Sequence, residues 1–357
     1  MILTTFGWAG ITLSVPDDWE ISGISGDQKS GYLRLDDAEM PRLELKWSES
    51  KKRRGVSQED LHSVLDEYFK LVRKSYRRKR DKKTQSNDLN ITRDIDLLKK
   101  DGGIIDLHAP IFFQWRGDVF AHGVIYHCPD SKRITIAQVM GRTRQSLRSV
   151  SIPLFLSLKN LPSGEIGSEF LWSAYQMSFR TPERYRLEKH QLLSGYLLFS
   201  FVDSGPFLDR KRRLSVERYG LADVLLKNCE LEDWFRNQYR KSLQGFGYQI
   251  EIVDDGVDQK FTLVGQENRL SDNIPIQPVQ NLDRLQRRKS IATHVRHCRQ
   301  SNRIFVVQSV SKREALQVVN GVASSIVCHS DMDDLSVNTT QKDHAGSNTI
   351  QAQIKKA

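Results

Sequence analysis

The chain has 357 residues, with 54 Lys and Arg against 44 Asp and Glu, a formal net charge of +10, and 38% apolar and 9% aromatic residues. That length suits two domains each able to bury a core, and the apolar share stands above that of a disordered chain. No apolar run approaches the roughly 18 residues of a membrane span, the start MILTTFGWAG lacks the basic region of a secretory signal, and four cysteines are too few for a disulfide framework, so a reducing, cytoplasmic compartment is the expectation.

In chain order, residues 10–19 (GITLSVPDDW) alternate Ile11, Leu13 and Val15 with Thr12 and Ser14, then break at Pro16-Asp17-Asp18. This predicts a half-buried strand and a turn that folds Trp19 onto the core. Residues 31–35 and 42–47 continue the period of two around the turn Asp36-Asp37, giving an antiparallel meander. Ser57 with Asp60 forms a capping-box start, and Leu61, Val64, Leu65, Tyr68, Phe69, Val72 and Tyr76 recur at three and four, the stripe of an amphipathic helix. Residues 81–90 are polar enough for a loop. Strands are predicted at Ile104-Ile105, at Phe112-Phe113, over 119–126 and over 133–139, the last two joined by a turn at Cys128-Pro129-Asp130-Ser131. A helix over 150–161 is expected to carry Pro153 in its first turn.

The chain then repeats itself. Residues 121–134 (AHGVIYHCPDSKRI) return as 292–304 (ATHVRHCRQSNRI), offset by 170 from His-Cys onward, and Trp172, Ser178, Gly195, Tyr196 and Leu197 each sit 164 after Trp8, Ser14, Gly31, Tyr32 and Leu33. So long a period means duplicated domains and not a solenoid. Tyr185 stands for Trp19, and Arg213-Leu-Ser-Val answers Arg42-Leu-Glu-Leu. A helix with Leu231, Trp234, Phe235, Tyr239 and Leu243 answers the first one, and a last helix over 312–328 carries Leu316, Val319, Val322 and Ile326. The expected architecture is α+β: two tandem copies of an antiparallel sheet with packed helices, residues 1–163 and 164–330, separately folded, followed by a disordered polar tail over 331–357.

The aromatic-Gly-strand opening followed by Val15-Pro16-Asp17-Asp18-Trp19 resembles the start of the PsbP-type family, which includes photosystem extrinsic proteins, Ran-binding transport factors and bacterial secretion chaperones. The resemblance covers about the first fifty residues of each copy, and the second departs from it at Tyr185. It implies an α-β-α sandwich and a non-catalytic binding protein, and transfers no site.

Two constellations could carry chemistry. The repeated pairs His127-Cys128 and His297-Cys298, with His122 and His294 upstream, are zinc-type ligands, but neighbours on a strand point to opposite faces, so the competing reading is a buried Cys beside a solvent-facing His. The recurring Arg133 and Arg303 could bind an anion; pairing with local groups at a sheet edge is the structural alternative. The second constellation is a basic run, Lys70, Arg73, Lys74, Arg77, Arg78, Lys79, Arg80, Lys82 and Lys83, whose field would attract phosphates or an acidic protein, although such a run is more often a solvated helix end. No Gly-rich phosphate loop, CxxC, HExxH or nucleophile elbow occurs. The expectation is therefore a non-enzymatic tandem-domain protein that binds a protein partner as a scaffold or chaperone, with no cofactor. Nucleic-acid binding by residues 70–83 is the first alternative and a metal-dependent enzyme the second.

Overall fold

Alternating apolar and polar residues give this chain two seven-stranded antiparallel sheets of identical strand order. The structure, a computed structural model, describes residues 2–50, 55–78, 89–98, 107–160, 168–203, 212–254, 258–268 and 288–328. The first copy runs β1 (Leu3–Trp8), β2 (Ile11–Pro16), β3 (Glu20–Gly26), β4 (Ser30–Asp36), β5 (Pro41–Glu49), α1 (Gln58–Arg78), β6 (Asn90–Arg93), β7 (Ile111–Arg116), β8 (Phe120–Cys128), β9 (Arg133–Gly141), α2 (Arg144–Ser157) and β10 (Lys159–Asn160). Its large sheet has the order β3-β4-β5-β9-β8-β7-β6, while β1, β2 and β10 make a separate small sheet.

The second copy runs β11 (Glu169–Ala174), β12 (Met177–Pro182), β13 (Tyr185–Leu193), β14 (Tyr196–Asp203), β15 (Arg212–Gly220), α3 (Ala222–Leu225), α4 (Leu231–Gln238), α5 (Arg240–Leu243), β16 (Phe246–Asp254), β17 (Asp258–Glu267), β18 (Ser290–Cys298), β19 (Arg303–Ser311) and α6 (Ala315–Ser324). The sheet order β13-β14-β15-β19-β18-β17-β16 reproduces the first, with β11-β12 as its small ribbon. Register repeats too: Cys128 faces Arg133 across β8 and β9, and Cys298 faces Arg303 across β18 and β19.

Each large sheet is covered on both faces, which is why strands such as β8 are buried along nearly their whole length. On one face Phe113, Ile125 and Ile136 pack with Leu61, Leu65 and Phe69 of α1. On the other, Val124, Tyr126, Ala137 and Val139 pack with Leu147, Leu154 and Phe155 of α2. The second sheet likewise lies between α4 with α5 on one face, around Trp234, Phe235 and Leu243, and α6 on the other, around Val319 and Val322. The expected antiparallel sheets with packed helices are thus observed, arranged as two tandem sheet domains.

Local expectations fare unevenly. The capping box exists: the Asp60 N–H donates to Ser57 Oγ at 3.2 Å, and the Ser57 N–H donates to Asp60 Oδ2 at 3.0 Å. The helix expected over 150–161 instead starts at Arg144, because Thr143 caps it by accepting from the Ser146 N–H at 3.2 Å. Pro153 therefore lies in its interior, where it removes one hydrogen bond of the ladder. The single helix expected through Leu243 divides at Tyr239, whose φ of −103° and ψ of 13° end α4. The last helix starts at Ala315, not Lys312, after Glu314 in a left-handed conformation, and this turns Leu316 to solvent while Val318, Val319 and Val322 are buried. No strand was expected at β1, β3, β6, β10, β11, β13, β16 or β17. The strand expected at Ile104-Ile105, most of the 81–90 loop, residues 161–167 and the polar tail lie outside the described residues.

The two copies meet through their small ribbons. Trp8 of β1 and Trp172 of β11, matched at an offset of 164 in the sequence although the turns Ala9-Gly10 and Tyr175-Gln176 set the ribbons' offset at 166, stack edge to face with ring centroids 5.4 Å apart and planes at 77°. The ribbons come so close at Gly7 that an added Cβ would lie 2.6 Å from Leu171 Cβ, and the Gly7 N–H donates to Ser173 Oγ at 3.0 Å. Leu171 of one copy thus fills the space that a missing side chain leaves on the other. Buried apolar residues of both copies consequently form one continuous cluster.

This joint predicts that Trp8→Ala and Trp172→Ala each cost about 3 to 5 kcal/mol of stability in urea unfolding. Because the rings touch, the double variant should cost less than the sum of the two. Additive losses would mean that the two side chains stabilise independent units.

Candidate functional site

The repeated Ser-x-Arg motif has a structural job. Arg133, almost fully buried, donates from Nη1 to the Ala9 carbonyl at 2.7 Å and the Gln28 carbonyl at 3.1 Å, and from Nη2 to Asn160 Oδ1 at 2.5 Å. Arg303 donates from Nη2 to Gln176 Oε1 at 3.1 Å and from Nη1 to the Cys328 carbonyl at 3.3 Å. Each arginine therefore ties the tip of its copy's small ribbon to the segment that follows the terminal helix. The tips need holding, since Ala9, Tyr175 and Gln176 all have positive φ. Burial lowers the Arg133 pKa from its ordinary value, but the guanidinium stays charged at neutral pH.

Around the joint, the pseudo-symmetry creates two corners with different chemistry. At one, Glu20 of the first copy lies near Arg218 and Arg303 of the second: burial raises its carboxyl pKa, and the two arginines pull it back down. Tyr175 spans this corner, its hydroxyl donating to the Ile21 carbonyl at 2.8 Å and its carbonyl accepting from Arg218 Nη1 at 2.5 Å. At the other corner, pairing Tyr185 with Trp19 makes Arg186 the counterpart of Glu20, and Arg133 is the counterpart of Arg303. The position that holds a glutamate at the first corner holds an arginine at the second. Here lies an open cleft of about 1120 Å³, lined by both copies.

The floor and walls of the cleft come from rigid elements. One wall is the β3–β4 turn with Asp27, Gln28 and Lys29, together with Glu49 and Ser131. The other is the start of β13 and the exposed side of α6, through Glu314, Gln317 and Gly321. Much of the charge is paired within a wall: Lys29 with Glu49 at 3.5 Å, Arg184 with Glu314 at 2.8 Å, and Arg212 with Asp203 at 3.6 Å. Among the described residues Arg186 and Glu169, both exposed in the cleft, have no ion pair or side-chain hydrogen bond. Nothing lies within 4 Å of the position a Cβ would take on Gly321. That glycine in mid-helix costs about 0.5–1 kcal/mol relative to alanine, and its φ requires no glycine.

The structure separates the sequence-predicted ligands. Cys128 joins the core under α2, and burial lowers the pKa of His127 on the strand's other face. Among the described residues neither ring nitrogen of His297 has a hydrogen-bond partner, and Cys298 lies against Cys328, Sγ to Sγ 3.7 Å. His122 Nδ1 meets Ser151 Oγ at 2.8 Å and His294 Nδ1 meets Thr262 Oγ1 at 3.3 Å. Among the described residues no three His, Cys, Asp or Glu side chains gather as a metal site. In the basic run, Lys70 pairs with Glu67 at 2.6 Å, while Arg73 and Lys74 are exposed. Arg77 and Arg78 are in the last turn of α1, and Lys79, Arg80, Lys82 and Lys83 lie outside the described residues. The cleft itself was missed by sequence reasoning, because its residues come from seven separate segments. The only linear signal was the change from Glu20 to Arg186 between copies.

No protein-family model matches the chain, and no curated protein does. The likeness to the PsbP-type family therefore rests on its opening residues alone. Among solved structures, one titled "The crystal structure of Tle4-Tli4 complex" is similar over 91% of this chain and 97% of that one, at 12% identity and a TM-score of 0.33. The apo immunity protein TplEi of the T6SS from Pseudomonas aeruginosa is similar over 92% of this chain and 96% of that one, at 10% identity and a TM-score of 0.32. The same protein with "L" peptide gives 11% identity, 92% and 97% coverage and a TM-score of 0.31. Scores this low establish no common fold, and no residue takes a role from them.

The buried histidines predict an acid limit to stability. Burial holds the imidazoles of His122 and His294 at about 4, against an ordinary 6.5, with Arg148 beside the first and Arg296 beside the second adding to the effect. The unfolded chain thus takes up these protons first, so their contribution is complete above pH 6.5 and is lost as pH falls toward 4. Thermal unfolding should show Tm falling across that window, with a shallower fall in His122→Asn/His294→Asn. An equal slope in the variant would place the acid sensitivity elsewhere.

Proposed function

We propose that this chain is a non-enzymatic tandem-domain protein that receives a segment of a protein partner in the cleft between its two sheets. The observation that carries the reading is the cleft itself, with charges of both signs, Arg186 and Glu169, unpaired among the described residues, beside a helical glycine that leaves one wall open. A polypeptide can present both signs to such a surface, whereas a nucleic acid presents one. The lining carries six carboxylates against four cationic side chains, a balance that repels a polyanion. Several of these groups are already ion-paired, which suits a recognition surface better than acid–base chemistry, where a poised, unpaired group is needed.

The PsbP-type identity of the two sandwiches and their boundaries at 163/164 and 330/331 belong to the same proposal. So does a scaffold-like or chaperone-like role. Two of the similar structures are called immunity proteins, and a protein partner is the form of ligand to test first. Duplication serves such a role by placing two rigid surfaces on one partner at high effective concentration.

The test is capture of a purified candidate partner by the immobilised chain. Arg186→Glu should weaken binding about tenfold or more, and Gly321→Trp, which fills the cleft without displacing any core atom, should abolish it. Arg236→Glu, on α4 away from the cleft, should leave it unchanged. Equal binding by all three variants, or retention of nucleic acid in place of protein, would reject the cleft as the site.

A further inference from the structure

We propose that Cys298 and Cys328 form a reversible disulfide that staples the end of the last helix to the second sheet. The two sulfurs are already in contact at 3.7 Å, both in the buried core. Cys298 is the last residue of β18. Cys328 follows Val327, which exchanges two backbone hydrogen bonds of 2.9 Å with Ser178, and its own carbonyl accepts from Arg303. The backbone is thus fixed on both sides of the pair, and small side-chain rotations bring the sulfurs to the roughly 2.05 Å of a disulfide.

One sulfur is also set up to attack. Arg296 Nη2 lies 3.3 Å from Cys328 Sγ, a placement that favours the thiolate, which is the nucleophile in disulfide exchange. Burial opposes it, holding the thiol up at about 11, so exchange at neutral pH is slow and the reduced pair persists without an oxidant. The first copy cannot do the same. Cys128 stands where Cys298 does, but that copy holds no second cysteine.

The oxidant is a low-molecular-weight disulfide of the glutathione class. The Cys328 thiolate attacks one of its sulfurs, the glutathione S–S bond breaks, and one glutathione leaves and takes a proton. Cys298, giving its proton to solvent, then attacks the Cys328 sulfur of the mixed disulfide and expels the second glutathione. Two protein thiols are oxidised and one disulfide is reduced to two thiols. Because α6 ends four residues before Cys328 and lines the cleft, the staple also fixes that wall. It does not depend on the cleft having a partner.

The full chain is incubated with oxidised glutathione, unfolded, alkylated and digested for mass spectrometry. The expected result is a linked peptide pair joining Cys298 to Cys328, with Cys128 and Cys229 alkylated, and a rise in Tm of roughly 5 °C that dithiothreitol reverses. A Cys128→Ala/Cys229→Ala chain should behave identically, and Cys298→Ala should stop at the mixed disulfide. Four alkylated cysteines in the treated wild-type chain, or a link involving Cys128 or Cys229, would overturn the proposal.

Discussion

The contact on which the rest depends is the approach of the two small ribbons, where Trp8 packs edge to face on Trp172 and Gly7 lets Leu171 close over its backbone. An aromatic pair of this geometry adds about 0.5–1.5 kcal/mol beyond the area it buries, so the rings alone do not hold two sheets. They act at the centre of a cluster that includes Phe179, Phe199 and Phe201 from the second copy and Val15, Leu35 and Leu45 from the first. That cluster sets the angle between the sheets. Gly7 and Ser173 hold the same place in their ribbons, two residues before the turn, and meet across the joint, so the two copies face each other as the subunits of an isologous dimer would. The small-to-large match of Gly7 with Leu171 suits only the unlike pairing.

From that near-symmetry comes the difference between the corners. Equivalent positions carry Glu20 with Arg303 on one side and Arg186 with Arg133 on the other. Opposite charges in a partly dry corner attract and are bridged by Tyr175, whereas like charges favour solvent between them. The open cleft lies at the corner where that position carries the reversed charge. Its walls are a β-turn fixed by Arg133 and a helix fixed at its end by Arg303, which places the recurring arginines behind the surface they support.

Much of the frame was legible in the residues. The 170-residue recurrence of His-Cys and Ser-x-Arg marks the β8–β9 hairpin and its copy β18–β19, and the period of three and four from Leu61 to Tyr76 marks α1. What was not legible depends on tertiary contact. Trp8 and Trp172 match at an offset of 164 in the sequence, but the ribbon register sets the offset at 166, and nothing in a linear pattern says that the two rings touch. The β16–β17 hairpin was overlooked although Phe246, Tyr248, Ile250 and Ile252 alternate with Gly247, Gln249 and Glu251, a legible period of two. Helix α2 was placed late because Val150 to Leu158 is the apolar stretch, although the cap that starts the helix is Thr143. The repeated His-Cys pair drew attention as a ligand set, yet the partner of Cys298 is a cysteine 30 residues on with no counterpart in the first copy.

The central claim is that the ribbon joint holds the two sheets at one angle and so keeps the cleft preformed. Spin labels placed by Gln28→Cys and Gln317→Cys on opposite walls, with Cys229 replaced by Ser, allow the span to be measured by pulsed electron paramagnetic resonance. A single narrow distance distribution in the free chain, broadening when Trp172→Ala is added, is the predicted result. A broad or two-peaked distribution in the free chain would show that the copies swing independently, and would contradict the account.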